Sequence, residues 1–130
     1  YGMQDQIKKR MEEMIPAIAK AYRASATLEF GVNYPITFND LDLTAQMIPS
    51  FEKAAGKENV HLIKAITGAE DFSFFQKEIP GLYFFLGGKP LDVPVEEAAS
   101  HHTPDFYIDE SGMLLGVKTF IQLSLDYLNN

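Results

Sequence analysis

Two of the chain's three histidines lie side by side in the stretch "SHHTPDF", residues 100–106. Neutral imidazole is the commonest protein ligand for transition metals. Proline limits its own backbone and that of the residue before it, so Thr103-Pro104 would hold a neighbouring imidazole in one orientation. The stretch therefore suggests a rigidly held metal ligand, although two solvent-exposed loop histidines would give the same pattern.

A second group of polar residues occurs in "ITGAEDFSFF", residues 66–75. Gly68 follows an apolar stretch, and Glu70 and Asp71 come at the start of a short predicted helix. Such a strand–turn–helix corner presents side chains at the C-terminal edge of a sheet, where ligands of α/β proteins often bind. Helix capping by Glu70 and Asp71 is the alternative, because carboxylates stabilise a helix N-terminus.

The composition of the 130-residue chain narrows the possible classes of function. With 46% hydrophobic residues the chain should fold, and its net charge of −7 without clustered basic residues argues against nucleic-acid binding. The longest apolar run, residues 82–86, is too short to cross a bilayer, which predicts a soluble, cytoplasmic protein without a membrane partner. Because there is no cysteine, any metal must be bound by His, Asp or Glu.

The first part of the chain combines one helix with one strand. Apolar residues three and four positions apart predict an amphipathic helix over residues 4–22, which Pro16 should interrupt. A strand is predicted at 27–32. These two elements cannot bury a core alone, so residues 1–33 are predicted to belong to a different domain from residues 34–130.

The middle of the chain contains a helix with clear signals at both ends. Asn39 and Asp40 can cap a helix over Leu41–Ala55, and Gly56 can end it.

The rest of the chain repeats a strand–helix pattern. A strand is predicted in "NVHLIKAI" at 59–66, a short helix at 70–78 and a strand that is apolar on both faces at 81–88. A last helix is predicted at 110–128, with Asp109 at its N-cap. These elements predict an α/β fold.

Several motifs, in this order and spacing, resemble the C-terminal third of the M20 family of metal-dependent amidohydrolases. They are "GAEDFSFF", "IPGLYFFLGG" and "HTPDFYIDE" followed by "SGMLLGVKTFIQLSLDYL". The most similar branch contains hippurate hydrolases, N-acyl-amino-acid amidohydrolases and plant auxin-conjugate hydrolases. The resemblance implies that residues 34–130 are the C-terminal part of a zinc-peptidase-like α/β catalytic domain. Residues 1–33 would end a small inserted α+β lid or dimerisation domain, and "NYPITFND" resembles the segment that re-enters the catalytic domain.

The resemblance also implies roles for individual residues. Members of the family hold two divalent metal ions, zinc or manganese, and His102 matches a late histidine ligand, whereas His101 has no counterpart. Glu70 matches a motif that lines the pocket, as a substrate-binding residue or as support for a ligand. The general base and the other ligands have no match in this chain. The chain alone is therefore expected to hold no metal pair and to be inactive.

The leading interpretation is part of an amidohydrolase that cleaves N-acyl amino acids or related small, peptide-like conjugates and forms a homodimer. One alternative is a non-catalytic α/β binding or dimerisation module. Another is a complete chain that acts as a structural partner.

Overall fold

The computed structural model describes residues 2–31 and 34–129. The chain divides into two compact units, Tyr1–Asn33 and Tyr34–Asn130. Assignment of the first unit to a lid or dimerisation domain stays a prediction. No helix in the described part of the chain is both long and apolar enough to cross a membrane.

The first unit contains a single helix, α1, which spans Gly2–Ala21. The helix continues through Pro16, so the predicted interruption is wrong; a helix can carry an internal proline at the cost of one backbone hydrogen bond. Its C-terminus is closed by Arg23 with φ 57°, while the Ala24 amide donates to the Ala19 carbonyl over 2.8 Å. Every residue of Gly2–Ala21 is described, and none of them is buried.

The strand predicted after α1 is not observed in the part of it that the structure describes. Residues 27–31 adopt no regular secondary structure, and Val32 lies outside the described residues. Phe30 packs under the ammonium group of Lys8, whose Nζ is 5.3 Å from the ring centroid. This contact links the segment to α1 through a side chain rather than through a backbone ladder.

The second unit begins with helix α2, Leu41–Ala55, whose limits match the sequence prediction. The Asp40 carboxylate caps its N-terminus by accepting a hydrogen bond from the Leu43 amide over 2.8 Å. Gly56 ends the helix at φ 85°, a conformation that favours glycine.

The C-terminal helix α4 spans Met113–Leu128, directly after a 3₁₀ turn at Glu110–Gly112. The Asp109 carboxylate caps this turn by accepting from the Ser111 amide over 2.9 Å, which confirms the predicted cap. Between α2 and α4 lies a short helix, α3, at Phe72–Glu78, where the sequence predicted one at 70–78. Two further short elements are 3₁₀ turns, Lys57–Asn59 and Val95–Glu97.

Helices α2 and α4 pack against each other in the second unit. Met47 of α2 is 3% exposed. Ser50 Oγ donates to Asp126 Oδ2 over 2.6 Å, and Lys53 Nζ is 3.0 Å from the same oxygen. The hydrogen bond from Ser50 to Asp126 thus joins the two helices through a polar contact between residues far apart in the sequence.

The apolar segment at 81–88 contacts both helices of this pair. The ring of Phe84 lies 4.9 Å from that of Phe51 in α2 and 5.3 Å from that of Phe120 in α4. Gly116 is buried, and a Cβ atom there would meet Leu86 at 3.0 Å. The absence of a side chain at Gly116 therefore permits the close approach of this segment to α4.

None of the described residues forms a β-strand, so the strands predicted at 59–66 and 81–88 are not observed. A strand needs a neighbouring backbone to accept and donate its hydrogen bonds. In 81–88 some of these bonds are made by the Asn39 side chain and by the Asp109 amide instead. Leu62 and Ile63 in the other segment are exposed. The described fold is helical, and the α/β class stays a prediction.

Candidate functional site

Glu70 lies in the turn that starts helix α3, Phe72–Glu78. Its carbonyl oxygen accepts hydrogen bonds from the backbone amide of Ser73, over 3.2 Å, and from Ser73 Oγ, over 2.5 Å. Ser73 is 1% exposed, so the hydroxyl that holds the turn is shielded from water. The backbone of Glu70 is therefore fixed at the N-terminus of the helix.

The side chains of Glu70 and Asp71 lie at the start of α3. Asp71 occupies the N-cap position, but its side chain makes no capping hydrogen bond within the described residues. The alternative that both carboxylates cap this helix is therefore wrong. The Glu70 side chain is half-buried.

The charges at the start of α3 act on the phenol of Tyr83. Burial raises the pKa of the Tyr83 phenol above its usual 10.0, and the hydrogen bond to Glu70 and the charges of Glu70 and Asp71 raise it further. The hydroxyl consequently keeps its proton at neutral pH.

Two polar side chains that sequence reasoning missed hold the backbone around Tyr83. Asn39 Nδ2 donates to the Tyr83 carbonyl over 2.8 Å, and Asn39 Oδ1 accepts from the Tyr83 amide over 2.8 Å. Gln76 of α3 donates to the Gly81 carbonyl over 3.2 Å and accepts from the Phe38 amide over 3.1 Å. The sequence predicted Asn39 as part of a helix cap, and nothing in its local pattern pointed to Tyr83.

The two loop histidines have different surroundings. The ring of His101 packs on Phe106, with centroids 4.5 Å apart and planes 40° apart. His102 is exposed and has φ 63°, a left-handed conformation that few non-glycine residues adopt. Thr103 closes the following turn, because its carbonyl accepts from the Phe106 amide over 3.1 Å. Both histidines are exposed; His101 packs on a ring, and His102 has the unusual backbone.

The described residues alone do not fit a metal centre. Across residues 2–31 and 34–129, no three His, Asp or Glu side chains are placed to hold one ion. His102 and Glu70 therefore supply no complete ligand set within this chain, and no chemical step through a metal can be derived from it.

Two open clefts in the second unit lie elsewhere. One, of about 260 Å³, borders Gln76 and Gly81. The other, of about 670 Å³, borders Ser50, Lys53 and Asp126. Neither Glu70 nor His102 lines either cleft.

Comparison with known proteins identifies the family. Residues 3–126 match the model of peptidase family M20/M25/M40, and the chain belongs to this family. The resemblance seen in its motifs is thereby confirmed.

Relatives of the chain have names that describe hydrolases. This chain is 37% identical over 81 residues to N-acetyldiaminopimelate deacetylase of Geobacillus sp. (strain WCH70), and the match covers 62% of this chain and 21% of that protein. It is 27% identical over 126 residues to the putative amidohydrolase YhaA of Bacillus subtilis, covering 97% and 31%. It is 31% identical over 127 residues to IAA-amino acid hydrolase ILR1-like 4 of Arabidopsis thaliana, covering 95% and 28%. No solved structure is significantly similar to the chain.

Proposed function

We propose that this chain is part of a metal-dependent amidohydrolase that cleaves the amide bond of N-acyl amino acids or related small conjugates. The observation that carries the proposal is the family match over residues 3–126. The names of the relatives, a deacetylase, an amidohydrolase and an amino acid conjugate hydrolase, support the amide bond as the target. The chain spans between 21% and 31% of the length of these three relatives, so the activity is proposed for the whole protein.

His102 is the proposed metal ligand of this chain. Its exposed imidazole and its φ of 63° support the role, because strained backbone conformations cluster at functional sites. The chain would contribute one ligand to a site for two divalent ions, zinc or manganese, which residues elsewhere in the whole protein complete. When bound, these ions would supply positive charge at the reacting amide.

Glu70 is the proposed substrate-binding residue. Its backbone, fixed by Ser73, and its half-buried position support the role, because a side chain on a fixed backbone can be presented to a ligand in one place. A role in supporting a metal ligand is the alternative for the same side chain.

For residues 1–33 we propose a place at the end of a lid or dimerisation domain, in a cytoplasmic homodimer. The division of the chain at Asn33 supports a separate unit. The exposed apolar residues of α1, among them Ile7, Met14 and Ile18, support burial against another surface.

The function is tested by assaying the full-length protein on a panel of N-acyl amino acids, after chelation and after addition of zinc or manganese. We expect metal-dependent release of the free amino acid. The 130-residue chain, assayed in parallel, should be inactive. An inactive full-length protein whose zinc or manganese uptake does not depend on His102 would instead support the non-catalytic module. Turnover by the 130-residue chain would refute the incomplete site.

A further inference from the structure

Helix α4 is apolar on more than the side that packs against α2. Among its 16 residues, Lys118 and Asp126 alone carry a charge. The Asp126 carboxylate is bound to Ser50 and Lys53 at the contact with α2. A helix that is apolar on most of its circumference is typical of the interior of a larger protein, where two of its sides are covered.

Five aliphatic side chains form one continuous stripe along α4, which we call the outer stripe. They follow one another at intervals of three or four positions, so they share one face of the helix. The members of the outer stripe are Leu114, Val117, Ile121, Leu125 and Leu128. Each of these side chains is between 54% and 79% exposed, so the described residues leave the outer stripe largely uncovered.

The opposite side of α4 makes the contacts with the rest of the second unit. Gly116 and Thr119 are buried, and at about 100° per residue they lie roughly 140° and 160° around the helix from Ile121. A Cβ atom at Gly116 would meet Leu86 at 3.0 Å, which shows how closely this side is packed. The second unit therefore covers one side of α4, and the outer stripe lies on the other.

An apolar surface of this kind is unusual on a soluble protein. Monomers rarely expose a contiguous apolar patch larger than a few hundred Å². Five neighbouring aliphatic side chains, each more than half exposed, form a patch of this order. Neither charged residue of α4 belongs to the outer stripe, so no charge interrupts it. The outer stripe thus has the character of a contact surface.

We infer that the outer stripe is buried in the whole protein against a part of the same polypeptide that lies outside residues 1–130. The chain spans between 21% and 31% of the length of three relatives, so most of a protein of that length is available to cover it. The family match extends to residue 126, so nearly all of α4 belongs to the region that defines the family. The inference shares with the proposed function the premise that the chain is part of a longer protein, but it does not depend on hydrolysis.

The test measures how fast a maleimide labels a cysteine placed in the outer stripe of the full-length protein. The 130 residues contain no cysteine, so an introduced one can be followed in its own tryptic peptide by mass spectrometry. Ile121→Cys and Leu125→Cys are two independent variants, and circular dichroism establishes that each is folded. Leu91→Cys is the matched control, because Leu91 is almost fully exposed in a turn. Each variant is labelled in the native state and in urea, and the native measurement is repeated on the monomer, obtained by dilution and verified by sedimentation velocity.

We expect both cysteines in the outer stripe to react at least about 10-fold more slowly in the native protein than in urea, because labelling of a buried site requires local opening. The protection should be the same in the monomer, and the control should react equally fast in both conditions.

Native labelling of the two outer-stripe cysteines at the rate seen in urea would overturn the inference. Protection that is present in a dimer but lost in the monomer would assign the outer stripe to a second copy and would overturn it as well. If the full-length protein is inactive on N-acyl amino acids but protects both cysteines as a monomer, the proposed function fails and the inference stands.

Discussion

The side-chain amide of Asn39 is paired with the backbone of Tyr83 through two hydrogen bonds of 2.8 Å, one donated and one accepted. In a β-sheet, a neighbouring strand pairs with the amide and the carbonyl of a residue in the same way. The two residues are 44 positions apart, so this pair fixes the start of α2 against the segment that carries Tyr83. The pair is the main polar contact between the helix start and the candidate site.

The first prediction concerns Asn39. Replacement by alanine should lower the free energy of unfolding by about 2 kcal/mol, because two hydrogen bonds are lost and two backbone groups are left unpaired. Asn129→Ala is the control, since Asn129 makes a single exposed hydrogen bond to the Leu125 carbonyl. Urea denaturation of the purified protein measures both. Equal stability of the two variants would show that the Asn39 pair adds little.

The second prediction concerns Gly81. A Cβ atom at this position would lie 2.7 Å from Gln76 Cγ and 3.3 Å from the Phe72 ring. Gly81→Ala should therefore displace Gln76 and destabilise the protein by about 1–3 kcal/mol, the usual range for overpacking. Gly68→Ala is the matched control, because a Cβ atom there meets nothing within 4 Å. Thermal midpoints that are the same for both variants would contradict the prediction.

The third prediction concerns the pH dependence of the α2–α4 contact. Hydrogen bonds from Ser50, Gln122 and Lys53 lower the pKa of Asp126 from its usual 3.8 to about 2, and the bond from Ser50 has the largest effect. Because the folded-state pKa is lowered, the stabilisation is complete above pH 3.8 and is lost as the pH falls through about 2.

Asp126→Asn should therefore be less stable than wild type at pH 7, and the difference should disappear between about pH 4 and pH 2. Denaturation curves across this range measure it. Asp92→Asn, in an exposed turn, serves as the control. A stability difference that stays constant from pH 7 to pH 2 would show that the Asp126 carboxylate is not the titrating group.

The fourth prediction separates the two loop histidines in the full-length protein. His102→Ala should lower turnover by more than about 100-fold, because loss of a ligand costs more than the 10–100-fold typical of its supporting groups. His101→Ala should reduce it much less. His102→Asn removes the imidazole but tolerates the left-handed backbone at φ 63°, so it distinguishes lost ligation from lost folding. A greater loss of activity and bound metal with His101→Ala would assign the ligand to His101.

The fifth prediction concerns self-association through the first unit. Changing Leu28 and Phe30 to lysine should dissociate the proposed homodimer of the full-length protein, since charges replace apolar side chains at its contact surface. Phe30 is already 37% exposed, so the substitution need not disturb a core. Sedimentation velocity measures the change, with Leu91→Lys in an exposed loop as the control. A dimer that persists in the double variant would refute the assignment.

The helices could be predicted because their signals are local. Asp40 and Gly56 mark both ends of α2, and Asp109 marks the turn before α4, through side-chain and backbone properties that need no distant partner. The 20 residues of α1 were recognisable from their spacing of apolar side chains. The structure differs from the prediction at Pro16, which does not interrupt α1, and at the start of the last helix, where residues 110–112 form a 3₁₀ turn.

The strands and the polar contacts of the site could not be predicted from local signals. Apolar runs such as 81–88 become strands only when a neighbouring backbone pairs with them, and the described residues provide none. The hydrogen bonds between Asn39 and Tyr83 join residues 44 positions apart, and the ring of Tyr83 packs on Phe72 of α3. The motifs identified Glu70 as a candidate but did not indicate these contacts.

The hydrogen bond between Ser50 and Asp126 spans 76 residues, and this separation has a consequence for the order of folding. Closing a loop of this length lowers the entropy of the chain before the distant contact can stabilise the fold. We therefore expect α2 and α4 to associate late, after the local turns have formed. During synthesis, α2 leaves the ribosome long before α4 is made. Met47 and the rest of the apolar face of α2 therefore remain exposed until α4 is available. During this time a chaperone or another chain can bind to them.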